Sequence, residues 1–266
     1  MTSTIDKLRA IVWRDLLTAI RHRSGFVVTL AGLLIELAAF YFLSRAIGPG
    51  FRPGGVEYFP FLMVGTGVYT FFVMSAQAFL SAVQEAQQTG TLEVLMTTST
   101  APAELLVLSS FSAFAGNLVN LLVYFFAGVA VFRASIHANV LSCVAVLVFS
   151  LAIALALGIA AATLQVAFQK GSALLWLLGS GVWFLSGTMF PIQSLPCPLE
   201  LLARALPLTY AVDGTRQALL EGRSIAAMAP TLAALAGFSL VLLPLALGGL
   251  LLSLRRARQD GTLSFY

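Results

Sequence analysis

The stretch VLSCVAVLVFSLAIALALGIAAATLQVAF, residues Val140–Phe168, contains no charged side chain. About 20 consecutive apolar residues are enough for a helix to cross the hydrocarbon core of a bilayer. The stretch therefore predicts a membrane-spanning helix. It is one of six long, mainly apolar runs in the chain. The other five predicted spans are Phe26–Ile47, Tyr58–Val83, Leu105–Phe132, Ser172–Phe190 and Ala229–Leu254.

The overall composition agrees with this interpretation. Of 266 residues, 59% are hydrophobic and 10% are charged, and the mean hydropathy is +0.94. A soluble domain carries about a quarter charged residues, so we expect an all-α integral membrane protein. The two cysteines and the two histidines lie far apart in the sequence, which predicts neither a disulfide framework nor a metal site.

Basic residues flank the first and last predicted spans. An excess of Lys and Arg marks the cytoplasmic side of a membrane protein, so both termini are predicted to be cytoplasmic. Residues 1–25 then form a cytoplasmic amphipathic helix, which either lies on lipid headgroups or contacts a partner. Residues 26–254 form the transmembrane domain, and residues 255–266 form a cytoplasmic tail.

A polar segment, QEAQQTGTLEVLMTTSTAPAE, separates the second and third predicted spans at Gln84–Glu104. Gly90 should interrupt the incoming helix, and Thr91 can cap a short helix with one apolar face. Helices that lie on anionic lipid usually carry Lys and Arg, and this segment has neither. We therefore expect it to dock on a cytoplasmic protein partner, with a helix that merely lies on lipid as the alternative.

The opposite side is predicted to hold the connection Pro191–Met228. Its pattern indicates two short helices broken at Pro207, in which Asp213 and Arg216 are spaced closely enough to pair. Neither helix is long enough to span, so both are expected to be re-entrant and to pack against protein or water. The segment either forms a lid over a pathway or only seals the bundle.

Polar residues also occur inside the predicted spans. A charge at the position of Glu36 costs ~2.5–3.5 kcal/mol on insertion scales, so Glu36 either lines a pathway or subunit interface or makes a buried hydrogen bond. Asn117, Asn120, Gln77 and Gln165 are expected to form hydrogen bonds between helices. The glycine pairs Gly65/Gly67 and Gly179/Gly181 predict close helix approach.

Three of these features together resemble the membrane subunit of an ABC-2 type exporter: six spans with both ends inside, a Gly-Thr-Leu-Glu segment before the third span, and two far-side motifs. The far-side motifs are FPIQSLP at Phe190–Pro196 and LPLTYAVDGTR at Leu206–Arg216. The resemblance implies a homodimer in a bacterial inner membrane, in which each copy binds a separate cytoplasmic ATPase subunit. It also implies ATP-driven export of a drug, lipid, glycolipid or polysaccharide. The basic stretch containing Tyr and Lys that precedes the first span in polysaccharide exporters is absent from Trp13–Gly25, which disfavours a long glycan.

The resemblance also implies roles for particular residues. The contact with the ATPase would be formed by Glu85, Gly90, Thr91, Leu92 and Glu93. The outer re-entrant helices would hold Phe190, Pro191, Pro207, Tyr210, Asp213 and Arg216.

The sequence contains no phosphate-loop motif, and its only lysines are Lys7 and Lys170. We therefore expect a transport subunit that is not an enzyme and binds no cofactor, with ATP used by the partner. No nucleic-acid partner is expected. The alternatives are an ion-coupled secondary transporter, which usually shows internal repeats and several deep charges, and a membrane-embedded lipid-modifying enzyme, which needs clustered catalytic side chains.

Overall fold

The structure is a computed structural model that describes residues 23–89, 102–168 and 170–260. Within these ranges the chain is helical and forms no strand. The long helices are α1 (Arg23–Ile47), α2 (Tyr58–Gln88), α3 (Pro102–Ala130), α4 (Val140–Phe168) and α9 (Ala229–Asp260). The short ones are α5 (Gly171–Leu177), α6 (Trp183–Leu185), α7 (Cys197–Arg204) and α8 (Pro207–Leu219), with 3₁₀ turns at Pro53–Gly55 and Ile192–Ser194.

In the described part of the chain, five helices are long and apolar enough to cross a membrane. They lie at Val27–Ile47, Tyr58–Gln88, Ala113–Ala130, Val140–Phe168 and Ala229–Arg256, which matches five of the six predicted spans. The all-α membrane fold is therefore confirmed, and the count of six is not.

The remaining predicted span, Ser172–Phe190, is a shorter and irregular helical segment. It consists of α5, a π-helical turn at Leu178–Val182, and α6, and it is about 22 Å long at 1.5 Å per residue. The helix ends because Gly187 adopts a left-handed conformation with a φ of 74°, which is a common way to terminate a helix. The segment falls short of the ~30 Å hydrocarbon core, so a sixth span stays a prediction.

Helix α2 lies at the centre of the bundle. In an apolar 18-residue stretch of α2, 78% of the residues are buried, whereas only 6% are buried in the corresponding stretch of α1. The side chains of Leu62, Met63 and Phe72 on α2 are fully buried. Helix α2 packs against α3, α4 and α8, so it connects three other helices of the bundle.

The polar segment Gln84–Glu104 includes the last residues of α2 and the first residues of α3. Helix α2 stops at Gln88, and the hydroxyl of Thr89 donates a hydrogen bond to the Glu85 carbonyl oxygen at 2.8 Å. Helix α3 begins at Pro102, where the missing N–H of proline is tolerated. Helix α2 therefore ends just before Gly90, whereas Gly90 itself and the short helix predicted from Thr91 lie outside the described residues.

Two further domain predictions concern the chain termini. The predicted amphipathic helix of residues 1–25 lies almost entirely outside the described ranges, which begin at residue 23. Helix α9 continues without interruption to Asp260. The first part of the predicted tail is therefore an extension of the last span.

The far-side connection forms α7 and α8, and α8 begins at Pro207 as predicted. The Thr209 hydroxyl donates to the Ala203 carbonyl oxygen at 2.7 Å, which fastens the two helices together. The loop before α4 packs on the end of α8, where the His137 amide donates to the Leu219 carbonyl oxygen at 3.1 Å. The two short helices are confirmed, and their re-entry into a membrane stays a prediction.

Candidate functional site

Arg216 on α8 is buried, with 7% of its surface exposed, and its guanidinium joins three parts of the fold. It donates to the carbonyl oxygens of Gly187 at 2.7 Å and Thr188 at 2.8 Å. It also donates to the Phe61 carbonyl oxygen of α2 at 3.0 Å, and its Cζ atom lies 3.4 Å from the centroid of the Phe61 ring. We call Phe61, Gly187, Thr188 and Arg216 the Arg216 cluster.

Local backbone geometry makes this cluster possible. The left-handed conformation of Gly187 ends the preceding helix, so the carbonyl groups of Gly187 and Thr188 are free to accept hydrogen bonds. Gly65 on α2 provides the space, because a Cβ atom there would lie 2.5 Å from Nη2 of Arg216 and would also collide with the Thr188 carbonyl oxygen. Arginine suits the position because its planar fork presents several donors at once.

Asp213 and Arg216 are close enough for their charges to interact, as predicted, but they form no direct contact. Within the described ranges no hydrogen bond or ion pair joins them, because Arg216 points inward to the carbonyl groups. The Asp213 carboxylate instead accepts a hydrogen bond from Gln217 at 2.7 Å. Burial lowers the pKa of Arg216 to about 9, and the charge of the nearby Asp213 works in the opposite direction. Arg216 is therefore still a cation at neutral pH.

A second polar cluster lies at the opposite end of α2. The Gln165 side chain of α4 donates to Oε1 of Gln87 at 3.1 Å and accepts from the Gly171 amide at 3.1 Å. All three residues are buried, and together they join the ends of α2 and α4 to the start of α5. We call them the glutamine cluster, and they confirm the hydrogen bond between helices predicted for Gln165.

Helix α2 connects the two clusters. Phe61 and Gln87 are separated by about 39 Å at 1.5 Å per residue, and the helix between them is largely buried. Glu85 is exposed on the same end of α2 as the glutamine cluster, close to the last helical residue, Gln88. The other residues predicted for the ATPase contact, Gly90, Thr91, Leu92 and Glu93, lie outside the described residues.

The residues predicted for the outer segment lie together around α7 and α8. The Phe190 ring packs against the Phe184 ring at a centroid distance of 6.3 Å. Pro191 precedes the 3₁₀ turn at Ile192–Ser194. The Tyr210 ring lies 5.6 Å from the ring of Phe238 on α9. The sequence-based interpretation missed Phe61 and Gly187, because neither residue type suggests a role as a carbonyl acceptor.

A cavity of about 290 Å³ lies between α1, α2 and α3. We call it the Glu36 pocket. Its lining consists of Thr29, Leu33, Glu36, Gly67, Thr70, Phe71, Met74, Asn117, Asn120, Leu121 and Tyr124. Gly67 allows α3 to approach, because a Cβ atom there would lie 2.9 Å from the Tyr124 ring.

Several polar groups of the Glu36 pocket have no partner in the part of the chain that the structure describes. The Tyr124 hydroxyl is buried there without a hydrogen bond. Within the described ranges, no hydrogen bond is formed by the side chains of Glu36, Asn117 and Asn120. The hydrogen bonds between helices predicted for the two asparagines are thus not formed here, and Gln77 bonds to Ser81 of its own helix at 2.9 Å.

Among the described residues, no group of three His, Cys, Asp or Glu side chains is placed to hold a metal ion. The family model of the ABC-2 type transporter matches residues 6–220 of the chain. The match includes both polar clusters and the Glu36 pocket. No curated protein matches the chain.

Proposed function

Because the chain belongs to the ABC-2 type transporter family, we propose that it is the permease subunit of an ATP-driven exporter of amphipathic molecules. Membership makes it a membrane component of an ABC-type transporter and implies association with an ABC ATPase subunit. The proposal adds a separate cytoplasmic ATPase, outward transport, a homodimer, and a bacterial inner membrane with both termini cytoplasmic.

The observation that carries the proposal is the connection of both polar clusters through α2. Protein interiors are close-packed and transmit displacement with little compression. Helix α2 is buried along most of its length and is fixed at one end by Gln165 and at the other by Arg216. A displacement of its Gln87 end would therefore reach the outer segment as a movement of the whole helix.

The ATPase contact is proposed in the segment that connects α2 to α3. Glu85 is exposed at the end of α2, and Gly90, Thr91, Leu92 and Glu93 follow in the sequence. The segment has no basic residue, which favours a protein surface over anionic lipid. In this role the segment is displaced by a conformational change of the ATPase and catalyses no reaction itself.

The outer segment is proposed to be the lid of the pathway. Helices α7 and α8 lie between the end of α6 and the start of α9, and Arg216 ties α8 to α2. Movement of α2 would then move α8 with it.

The proposed homodimer is supported by the exposure of α1. Only 6% of the residues in its apolar stretch are buried in the single chain, and Val28, Ile35 and Phe42 are exposed. A face of this kind suits either lipid or a second copy of the chain, and the second copy is the proposal.

The test is co-purification with the cognate ATPase, followed by ATPase measurements in proteoliposomes. The variant scrambles Gly90–Glu93, and the matched control scrambles Pro53–Val56 at the other end of α2. We expect the first variant to lose ATPase binding and stimulation and the control to keep both. If the Gly90–Glu93 variant binds and stimulates like the wild type, the coupling role is wrong.

A further inference from the structure

We propose that the Glu36 pocket binds an amphipathic monocation, with the cationic headgroup at Glu36 and the apolar body against the hydrophobic part of the lining. As a substrate class for export, this inference rests on the proposed function. Binding itself requires neither ATP nor the ATPase.

The Glu36 pocket contains polar groups that the described chain leaves without hydrogen bonds. A polar group in the membrane interior is strongly destabilised when it lacks a hydrogen bond, because no water is present to replace it. Tyr124 is 3% exposed, and its hydroxyl has no hydrogen-bond partner in the described structure. Glu36 and Asn117 line the same cavity, so a headgroup with N–H donors would supply hydrogen bonds that the described chain does not.

The charge of the Glu36 pocket favours a cationic ligand. Glu36 is the single ionisable carboxylate among the residues that line the described pocket, and neither Lys nor Arg accompanies it. An isolated carboxylate in a span is costly unless it meets a positive charge. The rings of Phe71 and Tyr124 also line the cavity, and aromatic faces attract ammonium groups. The lining thus selects a cation over a neutral or anionic headgroup.

The size of the cavity and its exposed edge also suit an amphipathic ligand. The cavity of about 290 Å³ is close to the lower end of the ~300–1,000 Å³ range of small-molecule sites. Leu33, Phe71 and Leu121 form an apolar wall for a hydrocarbon chain. Met74 and Asn120 are exposed at the edge of the pocket, which gives a ligand a lateral route from the bilayer.

The depth of the pocket fits the same ligand. Glu36 lies in the middle of α1, about 20 Å along the axis from Arg23 at 1.5 Å per residue. A single-chain amphiphile that reaches this depth must leave its headgroup hydration behind. Glu36, Asn117 and Tyr124 replace that hydration on the protein side.

The test measures retention of radiolabelled dodecylammonium by the full chain in lipid nanodiscs, with empty discs subtracted. Dodecanol and dodecanoate, which share the chain length, are the neutral and anionic comparisons. We expect saturable binding of dodecylammonium only. Glu36→Gln should weaken it at least tenfold, and Tyr124→Phe should weaken it about threefold.

Glu57→Gln is the matched control, because Glu57 is an exposed carboxylate outside the Glu36 pocket, and it should leave the affinity unchanged. Thermal unfolding of each variant in the same discs verifies the fold. The proposal is overturned if Glu36→Gln binds dodecylammonium as tightly as the wild type, or if dodecanoate binds equally well. Because no ATPase is present, failure of ATPase coupling would not alter this result, and failure of binding would not alter the coupling result.

Discussion

The guanidinium of Arg216 lies over the ring of Phe61 with Cζ 3.4 Å from the ring centroid, and it also donates to the carbonyl oxygen of the same residue. One side chain thus holds the outer helix α8 against the central helix α2 by a cation–π contact and a hydrogen bond. Two more bonds attach it to the turn that follows α6. The position of the outer segment therefore depends on Arg216.

Arg216→Lys should destabilise the protein although it keeps the charge. A lysine ammonium lacks the planar fork that reaches the carbonyl groups of Phe61, Gly187 and Thr188 together. Loss of one or two charged hydrogen bonds corresponds to about 2–4 kcal/mol, measured as a lower midpoint of thermal unfolding in detergent. Arg204→Lys on exposed α7 is the control and should leave the midpoint unchanged. Equal midpoints for the two variants would contradict the account.

Gly65→Ala should disrupt the same cluster from the side of α2. Its Cβ atom would overlap Nη2 of Arg216, and overpacking of this kind costs about 1–3 kcal/mol. Gly116→Ala on α3 is the matched control, since nothing lies within 4 Å of its added Cβ. The control should be neutral or slightly stabilising because alanine favours a helix. A stable Gly65→Ala variant would show that the close approach is not needed.

Gln165→Leu should weaken the opposite end of α2. It removes the donor to Gln87 and the acceptor of the Gly171 amide, and the two buried groups left unpaired correspond to about 1–3 kcal/mol each. We expect a lower unfolding midpoint together with weaker ATPase stimulation. Gln77→Leu, on the exposed side of α2, should change neither quantity. If a folded Gln165→Leu variant stimulates the ATPase normally, the glutamine cluster has no role in coupling.

Gly171→Ala addresses the same region through packing. Its Cβ atom would lie 2.8 Å from the Ala161 carbonyl oxygen and would collide with the Leu80 side chain. We expect poor expression or a strongly lowered unfolding midpoint. Gly179→Ala, at a glycine whose added Cβ meets nothing within 4 Å, should express like the wild type. If both variants behave alike, α5 does not pack on α2 as described.

Much of the fold was predictable from the sequence because it depends on local properties. Long apolar runs predict the five helices that can cross a membrane, and Pro207 marks where α8 begins. Close approach at Gly65 and Gly67 is confirmed, whereas Gly179 and Gly181 meet no neighbour within 4 Å in the described chain.

The errors concern contacts between distant segments. The π-helical turn at Leu178–Val182 accepts a hydrogen bond from the Tyr69 hydroxyl of α2 at 3.1 Å, and no local pattern reveals this. Arg216 was assigned to Asp213 by spacing alone, but its acceptors come from residues 28, 29 and 155 positions away. The Glu36 pocket likewise depends on how α1, α2 and α3 are rotated about their axes, which sequence spacing does not determine.

The central claim is that the ATPase moves the outer segment through α2, and the native Cys197 allows a direct measurement. Cys197 is exposed at the start of α7. In a Cys143→Ser background it can carry a single environment-sensitive fluorophore. In proteoliposomes with the cognate ATPase, we predict an ATP-dependent fluorescence change that disappears when Gly90–Glu93 is scrambled or Gln165 is replaced by leucine. An absent change in the otherwise unaltered protein, or an identical change in the scrambled variant, would contradict the account.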